Sequence, residues 1–189
     1  MAKAPTRIAE DVTPVIPRAV ALGIASGMRA WPPLAALALS YKSAPEQASW
    51  RQWPMFRSEV GRAVLLGLGA TELVTDKMEG TQARIALDLQ LSRVDLGLLG
   101  RIAAAGIAGA AIGSEHGGKD SVAAGAALAI ATSIFTNYAG YFARTAGVEK
   151  AGIPDAAVSL AEDVATITLL AAAVSRSSND GEMRSSSAR

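Results

Sequence analysis

Five ionisable residues sit in stretches too apolar to solvate them: Arg29, Glu72, Asp76, Glu162 and Asp163. Lys77 and Arg101 lie near the ends of those stretches, and Asn137, Tyr138 and Tyr141 add neutral hydrogen-bonding groups. A charge at membrane depth costs about 2.5–3.5 kcal/mol on insertion scales, so such residues mark an ion, proton or substrate pathway unless they merely pair and pin helices together. Glu72 and Asp76 are four apart and share a helix face. Glu162 and Asp163 are adjacent, about 100° apart on a helix, so they face different neighbours. One can meet Arg29 while the other faces Glu72 or a cavity. An acid left there without a cation would hold its proton near neutral pH and could exchange it for a cation.

The chemistry available is bounded by what the chain lacks. It has no Cys and one His, His116, so thiolate sites and His-based metal clusters are excluded. His116 lies in Ser114-Glu115-His116-Gly117-Gly118-Lys119-Asp120, which reads as a solvated turn. There is no nucleophile motif or phosphate loop, and no cofactor is implied. A net charge of +1 gives no field for nucleic acid. Three classes remain in order of preference. The first is a small-solute, ion or proton-coupled transporter or channel. The second is a membrane scaffold or partner subunit with structural charges. The third is an enzyme acting on lipid, in which the acids would serve as general acid or base.

The elements that position these residues are membrane helices. Half of the 189 residues are apolar, and Ala and Gly are abundant while aromatics are few, which suits closely packed helices and not a barrel. We read an all-α, polytopic membrane helix bundle of four to five spans, with a polar N-terminal segment at 1–13, the bundle at 14–174 and a disordered tail at 175–189.

The first segment, 14–41, is divided by Pro32 and Pro33, which remove backbone donors. Half-helices at about 17–31 and 33–41 meet near Arg29, and the segment either crosses or re-enters. Broken helices at membrane depth are tolerated where they are buried in protein or line a cavity, and their ends build sites in several transporters. Residues 42–56 carry Trp50, Trp53 and Phe56 with Lys42 and Arg51, which fits either an interfacial belt or a loop with a buried Trp. Further spans are expected at 58–76, 94–114, 121–144 and 154–174. Between the first two of these, Ile85, Leu87, Leu89 and Leu91 alternate, which we read as an extended interfacial segment. Gly109 and Gly113 form a small-xxx-small pair, as do Gly106 and Ala110; this face packs within the bundle or against a second copy, making a homo-oligomer through Gly106, Gly109 and Gly113 an option. A re-entrant first segment would gather Lys3, Arg7, Arg18, Lys42, Arg51, Arg57, Lys119, Arg176, Arg184 and Arg189 on one side and Lys77, Arg84, Arg93, Arg144 and Lys150 on the other. That bias favours re-entry and a cytoplasmic N-terminus.

Four motifs occur in order: Gly27-Met28-Arg29-Ala30 with a following Pro; Glu72-Leu73-Val74-Thr75-Asp76-Lys77; Tyr138-Ala139-Gly140-Tyr141; and Pro154-Asp155 with Leu160-Ala161-Glu162-Asp163. The set resembles the bacterial membrane family catalogued as domain of unknown function 4126, over about residues 19–174. The loop between Arg84 and Arg101 departs from that pattern, being longer and more apolar. The resemblance implies a multi-pass protein of the bacterial inner membrane, in contact with membrane lipids, and brings no biochemical activity with it.

Overall fold

The computed structural model describes residues 13–75 and 96–186. Asp76 and the alternating 85–91 stretch lie outside the described residues. Every element among the described residues is helical: α1 Val15–Met28, α2 Pro32–Ser40, a 3-10 turn Ser49–Gln52, α3 Pro54–Arg57, α4 Glu59–Thr75, α5 Leu96–Ser114, α6 Lys119–Thr145, a π turn Ala146–Lys150 and α7 Asp155–Ser186.

α1 is the hub. It packs against α5, α6 and α7, which accounts for the lack of any polar face in its sequence. Gly23 and Gly27, four apart and so on one face, let α6 come close. A Cβ at Gly23 would lie 2.4 Å from the Ala129 carbonyl oxygen, and one at Gly27 would lie 2.6 Å from that of Ser133. Gly109 and Gly113 do the same for the α5–α6 contact, facing the Gly125 and Ser121 carbonyls. These two glycines of the small-residue face therefore pack inside the chain, and Gly106 faces Ile130. The order of these contacts makes α1 parallel to α6, and α5 antiparallel to α6. The outer helix α4 packs on α2 and α3.

Large apolar side chains face outward, while several charged and hydroxyl groups are buried within a mostly apolar core. Arg29 is 1% exposed, Asp163 3% and Thr166 0%, whereas Phe135 and Val60 are each 73% exposed and Leu39 72%. On α7 the buried positions are Ser159, Asp163, Thr166, Leu170 and Ala173, while Leu160, Val164 and Ile167 face outward. An apolar exterior around polar groups is what a hydrocarbon solvent selects. Among the described residues, three helices are long and apolar enough to cross a membrane: Gly97–Ser114, Lys119–Lys150 and Asp155–Ser175.

One open local reading is decided and one changes. Trp50 is fully buried, stacked edge-on against Phe56, with ring centroids 5.0 Å apart, so it is a core residue and not part of an interfacial belt. α7 runs on to Ser186, into the stretch whose composition predicted disorder. Extending an existing helix needs no new nucleus, so a polar composition does not stop it.

Candidate functional site

The site forms where α1 stops. Arg29 is extended, with φ −142° and ψ 125°, and its N–H makes the last bond of α1, to the Ala25 carbonyl at 2.8 Å. α2 opens with Pro32 and Pro33, which have no N–H to orphan. The two donors left just before them belong to Ala30 and Trp31. Glu72, reaching across from α4, takes both: Oε1 accepts from Ala30 N at 2.9 Å and Oε2 from Trp31 N at 2.8 Å. The carboxylate thus caps α2 at its positive end.

Arg29 turns the other way, to α7. Its Nε and Nη2 donate to Asp163 Oδ1 at 2.9 and 2.7 Å, and Nη2 also donates to Ser159 Oγ at 3.2 Å. Asp163 lies eight residues into α7, about 12 Å along the helix at 1.5 Å per residue. Glu162, one residue earlier, faces elsewhere: Arg144 Nη1 lies 3.6 Å from its Oε2. Arg144 also grips Asp155 with Nε and Nη2, at 2.7 and 2.6 Å. Arg101 on α5 donates to the Asn137 side-chain oxygen on α6.

The expected residues therefore divide. Arg29 and Asp163 meet directly, with Glu72 on the neighbouring backbone. Glu162 belongs to a second group with Arg144, and not with Glu72. Asn137 joins Arg101. Tyr138 and Tyr141 are about half exposed on the outer side of α6, with Tyr141 against Phe142 and away from the buried charges. Asp76 lies outside the described residues.

Between α4 and α5 a cleft of about 450 Å³ reaches the break; Trp31, Leu68, Thr71, Glu72, Gly100 and Arg101 are among its lining residues. It carries a carboxylate on one wall and a guanidinium on the other. A hollow of similar volume beside Gln52, Pro54, Arg57 and Ser58 includes none of the break residues. Among the described residues no three His, Asp or Glu side chains gather as a metal cage.

A second buried charge cluster lies at the opposite end of α1, and sequence reasoning missed it. Arg18 pairs with Glu115 and donates through Nε to the Ala173 carbonyl at 2.7 Å. Glu115 also accepts from Trp50 Nε1 at 3.1 Å, and Trp50 N lies 3.3 Å from its acceptor, Ser114 Oγ. The signal available was Arg18 itself, a charge between the apolar Val15 and Leu22. Arg18 precedes the break and Trp50 follows α2, so one carboxylate ties both ends of the α1–α2 hairpin to the same end of the bundle.

Compared with known proteins, the chain matches no family model, no curated protein and no solved structure.

Proposed function

We propose that this chain is a multi-pass protein of the bacterial inner membrane that handles a small solute or ion through the cleft at the helix break. In this reading α4, α5, α6 and α7 cross, while α1 and α2 dip in and return. Membership of the family catalogued as domain of unknown function 4126 is part of the same proposal. The observation that carries it is the cleft itself: charges of both signs line it at a discontinuous helix inside an apolar shell. The joint hold of Glu115 on Arg18 and Trp50 supports re-entry. At 17 residues α4 spans about 25 Å, close to the hydrocarbon thickness.

The absence of Cys makes a direct test clean. A Cys at Gly100 should react with a charged, membrane-impermeant thiol reagent, because a side chain there meets no neighbour within 4 Å. A Cys at Phe135, on the outer side of α6, should not. An inert Gly100→Cys would overturn the cleft reading. The second reading is a scaffold, favoured by the partner that Glu72, Glu162 and Asp163 each find inside the chain. Reconstituted protein that passes no ions or small solutes above the level of empty vesicles would select it.

A further inference from the structure

We propose that the hollow beside Arg57 seats the head group of an anionic phospholipid, with an acyl chain lying along the outer face of α4. This rests on the multi-pass membrane reading and not on the cleft at the break. The hollow holds about 450 Å³, within the range of small-molecule sites, and Gln52, Pro54, Arg57 and Ser58 line it. It lies at the corner where α3 turns into α4. Phe56 packs on Trp50, which binds Glu115, while Glu72 in the last turns of α4 reaches the break. The corner is therefore at the Glu115 end of the bundle. With α4 in the hydrocarbon, the hollow falls at head-group level.

The polar groups of the hollow are donors. Arg57 is exposed, and its guanidinium makes no hydrogen bond or ion pair among the described residues. The corner that carries it is fixed: Arg62 Nη1 donates to the Phe56 and Arg57 carbonyls at 2.7 and 3.0 Å. Ser58 Oγ accepts from Gly61 N at 3.3 Å, which leaves its O–H to donate. A guanidinium fork matches two oxygens of a phosphate.

The surroundings agree in sign. Residues 41–62 carry Lys42, Arg51, Arg57 and Arg62 against Glu46 and Glu59. Arg51 and Arg62 are held over the Tyr41 ring, 5.2 and 4.3 Å from its centroid. Glu59 comes no closer to Arg62 than 3.9 Å, and its side chain is 95% exposed. At the other end of the bundle, Arg144 is engaged by Asp155 and Glu162. Beyond Ser58, the outward side of α4 is Val60, Ala63, Val64 and Gly67, with no charge among them. A lipid with a net negative head group meets both the basic hollow and this apolar face. A soluble phosphate meets only the hollow, and a zwitterionic lipid brings a cation towards Arg57.

The test uses the full chain in a non-ionic detergent and follows its thermal unfolding midpoint. Phosphatidylglycerol is compared with phosphatidylcholine of the same acyl chains and with inorganic phosphate. Phosphatidylglycerol should raise the midpoint by a few degrees more than phosphatidylcholine, and inorganic phosphate should not raise it. Arg57→Gln breaks no bond of its own side chain, so it should unfold like the wild type without lipid and lose that surplus. Lys119→Gln, an exposed lysine at the same end, should keep it. Equal shifts with the two lipids, an equal shift with inorganic phosphate, a surplus that survives in Arg57→Gln, or one lost equally in Lys119→Gln would each overturn the inference. If phosphatidylglycerol acts as expected while Gly100→Cys is inert, the lipid site stands and the cleft reading falls. If Gly100→Cys is labelled and phosphatidylglycerol has no surplus, the reverse holds.

Discussion

Arg29 and Asp163 meet through a single carboxylate oxygen, with Nε and Nη2 both donating to Oδ1. Their side chains are 1% and 5% exposed. Removing one partner leaves a buried charge, whereas removing both leaves shape alone to be satisfied. Arg29→Ala should therefore lower stability by about 3–5 kcal/mol, and Arg29→Met combined with Asp163→Leu should recover much of that loss. Thermal unfolding of the three proteins in one detergent checks it. A single variant as stable as wild type would show that the pair does not support the break.

The Glu115 cluster makes a separate prediction. Glu115→Ala strips the carboxylate from a buried Arg18 and leaves the Trp50 indole without its acceptor. Its cost should again be about 3–5 kcal/mol. Trp50→Phe removes one neutral-donor bond to a charged group and some packing, and should cost less. Hydrogen exchange gives the sharper readout, since Glu115→Ala should speed exchange in α1 and α2 together before it affects α6. Uniform acceleration across the bundle would mean that Glu115 is not a specific tie.

The glycines divide by what stands opposite them. Gly23→Ala drives a Cβ to within 2.4 Å of the Ala129 carbonyl oxygen and should cost about 1–3 kcal/mol. Gly67→Ala on α4 meets nothing within 4 Å and should gain about 0.5–1 kcal/mol from helix propensity. Melting temperatures that move in opposite directions are the expected result; a neutral Gly23→Ala would deny the close α1–α6 contact.

The helices were legible because long apolar runs end at polar turns, and the break because a Pro pair cannot continue a hydrogen-bond ladder. The Arg29–Asp163 pair was within reach, since two opposite charges in apolar helices have few other places to go. Glu72 was placed opposite whichever of Glu162 and Asp163 does not meet Arg29, when its partners are the N–H groups left ahead of Pro32. A Pro-broken helix is bound to leave free N–H groups, but which carboxylate takes them depends on how α4 packs, which local sequence does not hold. Glu115 lies in a turn whose composition reads as solvated, and only the tertiary placement of Trp50 covers it. The outward aim of Tyr138 and Tyr141 depends on which face of α6 meets α1 and α5, and local spacing does not hold that information.

The Arg29–Asp163 bond also sets an order in time. Its two ends are 134 residues apart. At about 5–20 residues per second, the ribosome delivers Asp163 roughly 7–27 s after Arg29. Throughout that interval the guanidinium has no carboxylate from α7 to enter the hydrocarbon with. The α1–α2 hairpin must stay at the membrane surface or in the shelter of an insertion machine, and it settles only when α7 arrives. A segment synthesised well before α7 is thus seated only together with it.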